Sequence, residues 1–195
     1  MSVYLKIRDK FPNSILLESS DYHGNDNSFS YICCNPIASI KVDANLITKT
    51  YPDQTVNTTT VTPDKVTSEI DTFTKQFETQ KDTSFKFINN GMFGFTAYDA
   101  VKYFEDITIS KKDDSIEIPE MYYAVYQNII AISLFNHEAH LFSHVYEGNH
   151  NLVEIERLLN TKNSSKFKFE KIGEKTSNLT DSQFIDFINK GKEHC

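Results

Sequence analysis

The stretch Gly91-Met-Phe-Gly94-Phe-Thr-Ala-Tyr-Asp-Ala-Val-Lys-Tyr-Phe-Glu105 constrains the fold of this chain more than any other. Glycine lacks a Cβ, so two glycines inside an aromatic run mark a strand that carries a bulge or lets another backbone come close. Phe93, Phe95 and Ala97 recur at the two-residue period of a strand and give it one apolar face. The block therefore reads as a kinked core strand, a marker of the fold rather than a reacting centre.

The rest of the chain supplies further strands. Ile15-Leu16-Leu17 has the length of a buried strand, and residues 28–34 and 37–42 read as two strands parted by Asn35-Pro36. Asp43-Ala44-Asn45 predicts a hairpin turn, followed by strands over 46–51 and 55–61 whose threonines face water. Thr62-Pro63 opens a helix over 63–80, because Val66, Ile70, Phe73 and Phe77 recur at helical spacing. Strand follows over 85–97, a short helical turn over 98–104 and an exposed charged loop over 107–118. Residues 121–135 and 139–145 form a hairpin about Asn136-His137-Glu138, and a helix covers 151–159. Residues 161–177 are linker in character, although 167–170 alternate like a strand. A last helix opens at Thr180, with Gln183 as its capping-box partner and Phe184, Phe187 and Ile188 on one face.

With 195 residues, 39% apolar and 24% charged, the chain has material for a good-sized core. A formal charge of -7 argues against a nucleic-acid partner, since phosphate binding needs clustered Lys and Arg, and Lys111-Lys112 is cancelled by Asp113-Asp114. No run reaches the roughly 18 apolar residues that a membrane-spanning helix requires. The N-terminus has no secretory pattern, so the reading is cytoplasmic with no membrane partner. Cys33, Cys34 and Cys195 make neither an even disulfide framework nor a Cys-x-x-Cys metal pattern, and read as reduced thiols.

Candidate chemistry is sparse. His137, His140 and His144 are the one histidine cluster, but no Cys or acidic residue stands at a supporting spacing, and in a hairpin His140 and His144 would share the solvent face. No phosphate-loop, nucleophile-elbow or zinc-protease motif occurs, so no catalytic residue and no metal ligand is assigned. A chain of this size without a catalytic constellation reads as a binding, regulatory or subunit-contact domain. Glu18 and Ser19 are the exception worth weighing. A carboxylate and a hydroxyl at the end of an apolar strand, near residues 28–31, can hold an ammonium group while aromatic side chains wall an apolar body. The alternative is a strand-end turn in which Ser19 bonds its own backbone.

Leu16-Leu17-Glu18-Ser19, then Ser30 and Pro36, then the Gly91 to Glu105 block, the strand after Pro119 and the final helix occur in the order found in the N-terminal part of anthranilate synthase component I, a chorismate-utilising family that this chain resembles. The resemblance implies an α+β fold with antiparallel β-sheets packed face to face and flanking helices. It implies part of an L-tryptophan feedback site formed by Leu17, Glu18, Ser19, Ser28, Phe29, Ser30 and Tyr31, Glu18 taking the ligand ammonium. One departure is Phe29, which stands where many relatives carry a basic residue. Full-length relatives convert chorismate and ammonia to anthranilate and pyruvate, the ammonia coming from a glutamine amidotransferase subunit. The family's chorismate site, its magnesium carboxylates and the other half of the tryptophan pocket lie beyond the equivalent of Cys195. The resemblance thus implies a piece of a longer subunit, itself without catalytic activity and without a cofactor of its own, with magnesium used by the full-length enzyme. Residues 1–177 are expected to form a regulatory and structural domain, and 178–195 the start of a helix leading into the chorismate-binding domain. Aminodeoxychorismate synthase component I, the sister enzyme, is the alternative, and a stand-alone amino-acid-binding regulatory module is the alternative of another class.

Overall fold

The computed structural model describes residues 2–18, 28–77, 79, 84–109, 118–161 and 168–194. The chain divides into two compact units, residues 1–165 and 166–195. The first holds α1 (Ser2–Ile7), β1 (Ile15–Leu17), β2 (Phe29–Asp43), β3 (Leu46–Thr50), β4 (Val56–Thr60), α2 (Val66–Thr74), β5 (Met92–Thr96), β6 (Met121–Ser133), β7 (Ala139–Ser143) and α3 (Leu152–Asn160). The second holds α4 (Asp181–Glu193). This is the α+β class with antiparallel strands that the sequence predicts.

Where sheets packed face to face were expected, the described strands join a single antiparallel sheet of seven. Its spine is the long pair β2 and β6, whose two ends recruit different neighbours. At one end β2 pairs with β3 through Ser39–Asp43, β3 continues to β4, and β6 pairs with β5 through Met121–Val125. At the other end β2 pairs with β1 through Tyr31–Cys33, and β6 with β7 through Asn128–Ile132.

The two strands predicted on either side of Asn35-Pro36 are thus one strand. Asn35 takes the left-handed conformation (φ 59°), and the register against β6 shifts between Pro36 and Ala38. Proline cannot donate to a ladder, but a bulge tolerates it, so the strand kinks and continues instead of ending. The strand expected over 85–97 is shorter, Met92–Thr96. Gly91, at φ 138°, turns the chain there, and the residues before it take an irregular path.

Three apolar clusters hold the first unit. Ile40, Val42, Val66, Phe73, Ala100 and Tyr103 pack together where α2 lies on the sheet. Val66 and Phe73 are fully buried, each worth roughly 1.5–3 kcal/mol. The helix predicted over 63–80 is realised as α2 with a 3-10 turn at each end, Pro63–Lys65 and Lys75–Phe77. Lys49 on β3 ties α2 to the sheet through Glu69, at 2.6 Å. A second cluster joins Ile32, Cys34 and Ile130 to Ile7 of α1 and to Ile155 and Leu158 of α3. Lys6 of α1 donates to the Leu159 carbonyl at 2.6 Å and joins the two helices. The third gathers Cys33, Phe93, Ala124, Tyr126 and Ile129.

Residues of the 91–105 block hold this architecture together. A Cβ on Gly94 would lie 1.9 Å from the Tyr122 carbonyl oxygen, so the absence of a side chain is what lets β5 pair with β6 here. Residues Tyr98–Tyr103 form a 3-10 turn that buries Ala100 and Tyr103. Lys102 and the Tyr103 hydroxyl both donate to the Glu120 carboxylate. The Ala44 amide donates to the same carboxylate at 3.2 Å, and the Asn45 amide to the Tyr103 hydroxyl oxygen at 3.1 Å. Ala44 and Asn45 both have positive φ, as the two central residues of a tight hairpin turn require. Partial burial alone would raise the Glu120 pKa, but Lys102 and Tyr103 together hold it below the usual value. Burial, then the bond to Glu120, pushes the Tyr103 hydroxyl pKa up.

In the second unit, α4 opens with the predicted capping box. The Gln183 amide donates to Thr180 Oγ1 at 3.3 Å, and the Thr180 amide to Gln183 Oε1 at 2.9 Å. Phe184, Ile185, Phe187 and Ile188 are exposed.

Candidate functional site

Side chains on a strand alternate between faces, and this alternation sorts the residues proposed to line an effector pocket. Leu17 lies directly opposite Tyr31, and Phe29 precedes Tyr31 by two residues, so Leu17, Phe29 and Tyr31 share a face. Ser28 and Ser30 fall in step with Ile32 and Cys34, on the face covered by α1 and α3, and both are buried. Residues 28–31 therefore do not form one wall. Glu18 follows β1 as an exposed residue, and Ser19 lies outside the described residues.

The face of Phe29 is covered by residues 84–90, the segment expected to be strand. Tyr31 Oη accepts from the Ile88 amide at 3.1 Å, and His144 Nε2 lies 3.0 Å from the Asn89 carbonyl. These contacts lay Phe85 and Phe87 over the sheet. Ring centroids lie 5.3 Å apart for Phe29 and Phe87, 4.9 Å for Phe87 and His140, and 5.2 Å for Phe85 and Phe142. Such spacings suit offset and edge-on ring packing.

A cavity of about 370 Å³ opens within this cluster, walled by Phe29, Phe85, Phe87, Phe135 and His140. Its volume lies at the low end of the range of small-molecule pockets, and it opens widely to solvent. Lys86 and Glu138 also line it. Asn136 Nδ2 donates to Glu138 Oε2 at 2.7 Å, and His140 Nε2 stands 3.8 Å from the same oxygen.

Two expectations about the histidines and cysteines can now be settled. The face expected to meet solvent at His140 and His144 is partly covered by the 84–90 segment, which leaves both half-buried: one stacks in the aromatic cluster and the other fastens that segment. Cys33 and Cys34 are buried free thiols, and burial, the largest influence on each, pushes both pKa values up to about 12. Such thiols stay protonated and are poor nucleophiles. Among the described residues no group of three or more His, Cys, Asp and Glu gathers as a metal site. Among the described residues no helix is long and apolar enough to cross a membrane.

Of these walls the sequence points to Phe29 alone. Within the expected strand Phe85 and Phe87 read as ordinary alternating core, and the spacing of His140 suggests only a metal ligand. The signal available was the aromatic density of Phe85-Lys86-Phe87 next to Gly91.

The described residues of the first unit thus form an antiparallel α+β domain with an aromatic-walled cavity at one end of its sheet. Anthranilate synthase component 1 of Lactococcus lactis subsp. lactis is 22% identical to this chain over 189 residues, which is 97% of the chain and 39% of that protein. The crystal structure of anthranilate synthase component I from Streptococcus pneumoniae superposes with a TM-score of 0.46 at 22% identity, covering 78% of this chain and 31% of that one. No family model matches the sequence. The chain is thus similar over nearly its whole length to anthranilate synthase component I, and spans about two-fifths of the length of that curated relative.

Proposed function

We propose that this chain is the N-terminal, effector-binding part of a large subunit of the anthranilate synthase type, acting in tryptophan biosynthesis in the cytoplasm. The single observation that carries the reading is the 22% identity sustained over 97% of the chain, against a relative more than twice as long. On this reading the lyase chemistry, in which chorismate and ammonia become anthranilate and pyruvate, belongs to residues outside these 195. The same residues would hold the magnesium. A glutamine amidotransferase subunit would supply the ammonia, and L-tryptophan would be the feedback effector.

The role of this segment is to present one wall of the effector site. Leu17, Phe29 and Tyr31 share the face that bears the cavity, and an indole ring finds stacking partners there in Phe29, Phe87 and His140. Glu18 at the end of β1 would accept from the ligand ammonium.

Two measurements test the reading. The isolated chain, given chorismate, magnesium and ammonia, is expected to yield no anthranilate by fluorescence; production in proportion to added chain contradicts the proposed division of labour. In the full-length subunit anthranilate production should fall as L-tryptophan is raised, and insensitivity to L-tryptophan removes the effector.

A further inference from the structure

The outer edge of β4 is an open strand edge, and the pairing of the β3–β4 hairpin shows which of its backbone groups are free. The Tyr51 amide donates to the Thr55 carbonyl at 2.9 Å and the Val61 amide to the Asn45 carbonyl at 3.0 Å, so Thr55, Asn57, Thr59 and Val61 turn their backbone groups toward β3. Bonded and non-bonded positions alternate along an antiparallel ladder, and the amides and carbonyls of Val56, Thr58 and Thr60 therefore point away from it. β4 ends the sheet order on this side, no described strand pairs with its outer edge, and all of its residues are exposed. Folded proteins blunt such edges with charge, proline or a bulge. Val56-Asn57-Thr58-Thr59-Thr60 has none of these: it carries no charged residue and no proline, and its register against β3 runs without a shift. By contrast β1, the other edge strand on this side of the spine, is three residues long and is followed at once by Glu18.

We propose that the β4 edge is a self-association surface, on which β4 of a second copy of this chain pairs antiparallel about a twofold axis at Thr58. This register sets Val56 opposite Thr60 of the second copy, Asn57 opposite its Thr59, and Thr58 opposite its own counterpart. Every free amide and carbonyl of Val56, Thr58 and Thr60 then gains a partner, in the self-complementary manner that a twofold contact requires. Threonine pairs and β-branched pairs directly opposite one another favour such a ladder. Charge selects a copy of the same segment as the occupant: the chain carries a formal charge of -7 but this strand carries none, so two copies meet here with no like charges opposed. The interface is small and mostly backbone, which makes the dimer weak. Because the charge elsewhere on the two copies repels, added salt strengthens it.

Sedimentation velocity of the chain over roughly 10 μM to 1 mM, the range of weak and small interfaces, should show a monomer giving way to a dimer, at lower concentration when salt is added. Thr58→Pro removes an amide that makes no ladder bond within the chain, and Thr58→Lys sets like charges face to face across the axis. Both variants should stay monomeric over that range with a Tm close to the parent's, and Thr58→Lys alone decides the matter if the proline variant fails to fold. Thr58→Cys in a Cys195→Ser background should give a disulfide-linked dimer on mild oxidation, because the Cα atoms of a bonded pair lie about 5.5 Å apart, within disulfide reach. Thr59→Cys in the same background should not, because the axis sets Thr59 opposite Asn57. A parent that stays monomeric throughout overturns the proposal. A dimer that persists in Thr58→Lys also overturns it, and moves the contact to another surface such as the exposed apolar side chains of α4. Failure of Thr58→Cys to cross-link, or equal cross-linking at Thr58→Cys and Thr59→Cys, overturns the twofold register.

Discussion

The two ends of the β2–β6 spine are built on opposite principles. At the end near Glu120, the polar groups that leave the sheet find partners: Lys102, Tyr103 and the Ala44 amide converge on one carboxylate, and the Asn45 amide closes on the Tyr103 hydroxyl. At the end near Phe29, aromatic rings gather around an open cavity whose rim carries Lys86 and Glu138. The first arrangement is saturated and has nothing left for a ligand. The second leaves ring faces around an open volume, with Lys86 and Glu138 in its lining. The residues that make the family resemblance visible, 91–105, belong to the saturated end, whereas the residues that line the cavity lie at the other.

Substitutions at the saturated end should cost stability, and the largest loss is expected at Gly94. Gly94→Ala would drive a methyl group into the Tyr122 carbonyl, where the nearest atoms are all backbone of β6 and no flexible side chain can yield. A destabilisation of about 3 kcal/mol is expected, at the upper end for overpacking, read as a shift in the urea midpoint at constant slope. An unchanged midpoint would mean that β5 and β6 are not this close.

Glu120→Ala should come next, at about 2 kcal/mol, because it strands the Tyr103 hydroxyl and the Lys102 ammonium. Its pH signature follows from the sign of the shift. The Glu120 pKa is held below the usual 4.5, so its contribution is complete above that value and is lost as pH falls through the lower, folded one. Tm measured from pH 7 down to pH 3 should therefore drop less steeply in Glu120→Gln than in the parent. Parallel slopes would show that another carboxylate sets the acid limb.

At the open end the effect should appear in binding and not in stability. Glu18→Ala or Ser19→Phe in the full-length subunit should raise the L-tryptophan concentration for half-inhibition by roughly ten-fold or more, with uninhibited turnover nearly intact. Inhibition curves that overlay the parent's would make this segment a plain strand end. The smallest expected effect is at Cys33 and Cys34, whose buried thiols sit at about 12. Neither should react with a maleimide at pH 8 in the native chain, and both should react in urea, as peptide mass mapping would read. Native labelling of Cys33 would mean that the sheet opens between its two ends.

Much of the fold was legible because it depends on local pattern. The hairpin turn at Ala44-Asn45, the 3-10 turn at Tyr98–Tyr103 and the capping box at Thr180 and Gln183 all have signatures within a few residues. The misjudged places depend on partners far along the chain. Asn35-Pro36 looks like a break until β6 runs beside it and accommodates a bulge. Phe85 and Phe87 look like alternating core residues until Tyr31 and His144 hold their segment over the sheet.

The sequence by itself determined that this chain is a sheet protein with a glycine-punctuated core strand, that it carries no catalytic motif, and that it resembles one family in the order of its segments. Those properties reside in residue type and spacing, which need no knowledge of what lies opposite. Only the tertiary structure decided that Phe29 and Tyr31 face away from Ser28 and Ser30, and that Lys86, Glu138 and His140 meet Phe29 around one cavity. Pairing joins residue 29 to residue 133, and a cross-strand register over such a distance is fixed by burial of the whole sheet rather than by any local signal.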